Sequence, residues 1–188
     1  MARRKTILAT NEVYHVYNRG VEKRPIFILK KDYLRFLELI NYYQFTDCPL
    51  KFSYFVRLPL EERLNTLKKL QSESKKLVDI FAFCFMPERT GYLFQGNFGA
   101  VRIETNEQLI HVSRYIHLNP VSSYLVEIKD LENYEYSSYP EYLDIRSGFS
   151  NVEEVLSFFK NGQEYKNFVE DQADYARQLE NIKHLTLE

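Results

Sequence analysis

At 188 residues, with 45% apolar and 15% aromatic side chains, the chain is long enough to bury one ordinary core with a small helical appendage. The net charge of -1 excludes a polybasic protein. It conceals a basic start, six Lys and Arg against Glu12 and Glu22 in residues 1–24, and an acidic end, four basic against eight acidic groups in 151–188. No run approaches the roughly 18 uninterrupted apolar residues of a membrane span, the start lacks a secretory h-region, and Cys48 and Cys84 have neither metal-ligand nor redox spacing. These features predict a soluble cytoplasmic protein with no membrane partner.

In chain order, residues 12–18 (EVYHVYN) alternate, with Val13, His15 and Tyr17 on one face and Tyr14 and Val16 on the other, which predicts a strand. Tyr33, Phe36, Leu37 and Ile40 recur at helical spacing, predicting a helix over 31–45 with Asp32 as its cap. Residues 46–76 read as an inserted polar segment, carrying a helix begun by Pro59 with a Leu60, Leu64, Leu67 and Leu70 stripe. The almost wholly apolar run 77–86 (LVDIFAFCFM) predicts a central strand covered on both faces. Beyond Pro87 a loop with Gly91, Gly96 and Gly99 precedes a short strand over 100–104. Thr105 or Asn106 then caps a helix expected to run to Leu118 and to stop at Pro120. A turn-laden YEYSSYPEYL segment and two acidic helices, over 152–159 and 163–180, close the chain.

Four blocks carry a resemblance: YHVYNRGVEKRPIF at 14–27, FAFCFMP at 81–87, GYLFQGNFGAVRIET at 91–105 and HVSRYIHLNPV at 111–121. Together with the downstream YSSYPEYL and the final helices, they resemble the REP-associated tyrosine transposases, within the HUH single-tyrosine transposases of insertion sequences. The resemblance implies an α+β fold: a ferredoxin-like antiparallel sheet with helices on one face and additional C-terminal helices. It implies a transposase-like domain over 1–145, with 46–76 inserted, and a helical appendage over 146–188. It further implies divalent-metal-dependent (Mg or Mn) cleavage and strand transfer on single-stranded or hairpin DNA.

In that family a His-x-His pair on a strand puts two imidazoles on one face, where they share an ion that polarises the scissile phosphate. This chain departs from the pattern. The text reads MPERTGYLFQ, as though one strand and one helix were excised between Pro87 and Arg89, and of His15, His111, His117 and His184 no two are one residue apart. The expected sheet is therefore truncated by loss of a central strand and helix.

By the resemblance Tyr115 matches the nucleophile, which attacks phosphate to give a phosphotyrosine link. Asn119, one turn later, stands where a polar third metal ligand is placed, although the reading its position favours is a helix-end residue before Pro120. His111, Tyr115 and Asn119 are spaced by four and share one helix face. His111 is a candidate ligand or proton carrier, with an ordinary surface or core histidine as the alternative. Arg19, Lys23, Arg24 and Arg114 are candidate phosphate contacts, and Tyr14, Tyr17, Tyr92 and Phe94 are either base-stacking rings or core residues. The expected function is single-stranded or hairpin DNA binding with strand cleavage impaired. The alternatives are a working enzyme whose metal ligands come from elsewhere, or a structural or interaction module without DNA affinity. A homodimer closing the gap in the sheet is compatible with each.

Overall fold

The computed structural model describes residues 7–18, 27, 29–87 and 98–178. The chain forms two compact units, Leu29–Ile80 and Met1–Ile28 with Phe81–Glu188.

In the smaller unit, helix α1 (Lys30–Tyr43), the short helix α2 (Phe52–Phe55) and helix α3 (Leu60–Glu73) surround an aromatic core of Tyr42, Phe45, Phe52, Phe55 and Leu70. Asp32 acts from inside the first turn of α1 rather than at its cap, its carboxylate accepting from the Leu29 amide at 2.9 Å. Pro59 is the N-cap of α3, as its fixed φ favours. The leucine stripe on α3 divides: Leu67 and Leu70 join the core, whereas Leu60 and Leu64 are exposed. The unit therefore takes in the first helix as well as the segment read as an insertion.

The larger unit is α+β. Strands β1 (Val13–Tyr17) and β2 (Gly99–Ile103) pair antiparallel, with His15 opposite Val101 and Tyr17 opposite Gly99. One sheet face thus carries Val13, His15 and Tyr17 beside Ile103, Val101 and Gly99. Val13 and Ile103 pack onto a core built around α4 (Asn106–Ser122). A 3-10 turn (Ile128–Asn133) and helices α5 (Tyr139–Tyr142), α6 (Glu153–Leu156) and α7 (Gly162–Glu170) complete it. The expected appendage supplies Val155, Tyr165 and Val169 to this same core, so α6 and α7 are integral to the unit.

The expected central strand over 77–86 does not form. Residues 81–86 are buried or half-buried, and among the described residues no strand flanks them. A single antiparallel bridge joins Cys84 to Ser137, the Phe85 amide donates to Tyr136 O (2.9 Å) and the Ser138 amide to Phe83 O (3.0 Å). Side-chain hydroxyls meet two further carbonyls: Tyr134 donates to Phe85 O (2.7 Å) and Tyr142 to Phe81 O (2.8 Å). An apolar run records that it is buried and leaves open what buries it.

Helix α4 runs through Pro120 to Ser122 instead of stopping before it. The proline deprives Ile116 of one donor but places its own ring in the core, fully buried. The helix closes with Tyr124 at φ 56°, the Tyr124 amide bonding Val121 O (3.1 Å) and the Leu125 amide bonding Pro120 O (2.9 Å), a Schellman closure.

Inside the core the hydroxyl and imidazole groups form one directed chain. Ser113 Oγ donates to the Ile110 carbonyl at 2.8 Å, so it accepts from Tyr165 Oη at 3.0 Å. Tyr165 Oη, its proton thus committed, accepts from His117 Nδ1–H at 2.7 Å. His117 Nε2 then accepts from Ser138 Oγ at 2.8 Å, and Ser138 Oγ accepts from the Phe83 amide at 2.9 Å. This ordering assigns His117 the neutral Nδ1–H tautomer and leaves no member unpaired.

Candidate nucleic-acid interface

Thr105 caps α4, its hydroxyl accepting from the Gln108 amide at 3.1 Å. Leu109, Ser113, His117 and Val121, four apart, form the buried row of this helix. His111, Tyr115 and Asn119 are offset from that row by two residues, about 200° around the helix, which turns Tyr115 outward. Tyr115 is 41% exposed, and its ring meets His15 of β1 edge-on, centroids 5.9 Å apart at 80°. His15 in turn lies 5.6 Å from Tyr17. Burial pushes the His15 pKa below the ordinary value of 6.5, which keeps its imidazole neutral at neutral pH. Tyr17 is 43% exposed and lies over Gly99, where an added Cβ would fall 2.3 Å from the phenol ring. Strand and helix thus bring Tyr17, His15 and Tyr115 into a single row.

The other expected site residues are placed differently. Arg114 stacks over the Phe168 ring at 4.2 Å and donates to Phe168 O (3.4 Å) and to His111 Nδ1 (2.8 Å). Its guanidinium is therefore committed to holding α7 against α4. As an acceptor at Nδ1, His111 carries its proton on Nε2. Asn119 is inside the helix, with its main-chain oxygen bonded to the Ser123 amide, and its buried Oδ1 has no hydrogen-bond partner. Arg19, Lys23, Arg24, Tyr92 and Phe94 lie outside the described residues. Tyr14 turns its hydroxyl to the chain start, accepting from the Ala9 amide at 3.0 Å.

His111 faces a guanidinium, Asn119 offers one oxygen, and among the described residues no group of three or more His, Cys, Asp or Glu could hold an ion. No protein-family model, curated protein or solved structure matches this chain. The site is therefore argued from its own geometry.

A cavity of about 530 Å³ between α5 and α7 is lined by Glu132, Glu141, Asp144 and Lys166 among others, and Tyr115 is not part of its wall. Two of its acidic groups are already paired, Glu132 with Lys166 at 2.7 Å and Glu141 with Arg146 at 3.6 Å. No helix among the described residues is long and apolar enough to cross a membrane.

Sequence reasoning placed His15 and Tyr17 on one strand face but gave His15 no role. The missing information was the partner: neither the pairing of β1 with β2 nor the crossing of α4 over His15 is encoded in local periodicity. Gly99 was read as a loop residue, whereas it is the first residue of β2 and the seat of the Tyr17 ring.

Proposed function

We propose that this chain is a single-stranded or hairpin DNA-binding protein of the REP-associated tyrosine transposase kind, in which strand cleavage is absent or strongly reduced. The observation that carries the reading is Tyr115: the tyrosine in the YIHLNP block stands exposed on α4 beside a neutral imidazole. A phenol with a reference pKa near 10 needs a group that draws off its proton or neutralises developing charge. His15 is a base of suitable type nearby, but the edge-on ring contact is no hydrogen bond from the phenol, and among the described residues no group of three or more His, Cys, Asp or Glu could hold a metal ion at the phosphate. Binding without efficient cleavage is the outcome this arrangement favours.

The test is binding of the purified chain to fluorescent hairpin-tailed single strands and to a duplex across salt concentrations. Tighter binding of the hairpin strand, weakening steeply with salt, is the expected result. Indifference to both DNAs at moderate salt would overturn the reading in favour of a structural or interaction module. Incubation with manganese or magnesium is expected to give little or no covalent adduct. A strong adduct that Tyr115→Phe removes would instead establish a working transposase with ligands supplied from elsewhere.

A further inference from the structure

Resting on the DNA-binding reading, we propose that Tyr17, His15 and Tyr115 form a stacking site for unpaired bases of one DNA strand, with Gly99 as the seat that positions the Tyr17 ring. Tyr17 and Tyr115 are the outer members of the row, both more than two-fifths exposed, with His15 between them. Aromatic faces bind bases without regard to sequence because every base has a π-face. Val101, opposite His15 on the same sheet face and 55% exposed, adds an apolar patch beside the rings.

Ring-to-ring steps of 5.9 and 5.6 Å exceed the roughly 3.4 Å rise of bases stacked in a duplex strand. That is still short of the roughly 6.8 Å, two such steps, that a base sandwiched between two rings needs, so a base stacks on an outward ring face; in a duplex the base faces are already occupied by their neighbours. The rings are mutually tilted, at 45° and 80°, and the 80° contact sets the edge of one ring against the face of the other, so the faces open to a base are the outward ones. The Tyr17 position is specified by its surroundings: the phenol fills the space that any side chain at position 99 would need. Cross-strand packing of an aromatic onto glycine fixes a ring that would otherwise sample several rotamers.

The experiment uses the whole chain and a short single strand in which one base is the fluorescent analogue 2-aminopurine. Stacking on tyrosine is expected to quench its emission on binding. Tyr17→Ala and Tyr115→Ala should each weaken binding by roughly 5- to 150-fold, the range of one lost base stack. Tyr17→Phe and Tyr115→Phe should keep both affinity and quenching, since they preserve the ring. Gly99→Val, which leaves every ring in the sequence but displaces Tyr17, should weaken binding about as much as Tyr17→Ala, with circular dichroism reporting an intact fold. If the wild-type chain binds the strand and both alanine variants bind equally well without loss of quenching, the stacking site is wrong and the DNA-binding reading survives. Failure of the wild-type chain to bind any single strand overturns both. Should the alanine variants lose self-association instead of DNA affinity, the row is an interface between copies of the chain and the proposal falls.

Discussion

His117 has both ring nitrogens engaged and its imidazole wholly buried among Tyr139, Tyr142 and Tyr165. Burial lowers its pKa from 6.5 to about 3. The sign of the consequence follows: below pH 6.5 the unfolded chain takes up a proton that the folded chain refuses, so stability falls as pH drops from 6.5 toward 3. The slope approaches ~1.4 kcal/mol per pH unit for this one group. Urea titrations between pH 7 and 5, above most carboxylate titration, are expected to show that decline, and His117→Gln should flatten it at the cost of lower stability at pH 7. Tyr165→Phe, which removes the acceptor of His117 Nδ1–H, is expected to cost ~1–3 kcal/mol in the same assay. In the sequence His117 stood out only as one of four histidines, no two of them one residue apart. Its burial depends on Tyr165 and Ser138, 48 and 21 residues away, which no local pattern links to it.

Helices were legible where the signal is local, and less so where a distant contact overrides it. Thr105 and Pro59 mark helix starts because capping and a fixed φ act within one turn. Pro120 misleads because its local cost is offset by burial of its ring and by the closure that follows. The same closure recurs at α5: Pro140 O accepts from the Ile145 amide (3.0 Å), with Asp144 at φ 56°, as Pro120 O accepts from Leu125 after Tyr124 at φ 56°. Left-handed backbone costs a bulky residue more than aspartate. Tyr124→Gly is thus expected to raise stability by about 0.5–1 kcal/mol in thermal unfolding, and Asp144→Gly by less. The segment 77–86 was read as a strand because its apolar run matches a doubly covered one, yet Ser138 Oγ takes the place of a strand neighbour at the Phe83 amide. Ser138→Ala should therefore speed hydrogen exchange at Phe83 more than at Phe85, whose amide bonds a main-chain oxygen.

At the scale of the molecule the described residues form two cores with no shared residue, one around Tyr42 and Phe55, the other around His117 and Tyr165. Phe55→Ala, which opens the smaller core beneath the stacked Tyr42 ring 4.2 Å away, is expected to cost ~3–5 kcal/mol. Hydrogen exchange should show that loss in residues 29–80 while the Tyr165 core keeps its protection. The mixed α+β character was legible from the alternation of 12–18 and the helical spacings. The division at Leu29 and Ile80 was not, because the insertion was identified by its polarity, and helix α1 joins that unit through Tyr42, an aromatic no different in kind from those of the main core. In the larger unit, the directed hydrogen-bond chain runs from Phe83 through Ser138 on to His117 and ends beyond Tyr165, so its links come from the middle and from near the end of the sequence. During synthesis, α4 emerges with Ser113 and His117 aimed at an interior that does not yet exist, and their polar groups stay with water until Tyr165 has left the ribosome. A polypeptide cut short before Gly162 is expected to leave those donors and acceptors without the Tyr165 partner and to lose the packing that buries His117.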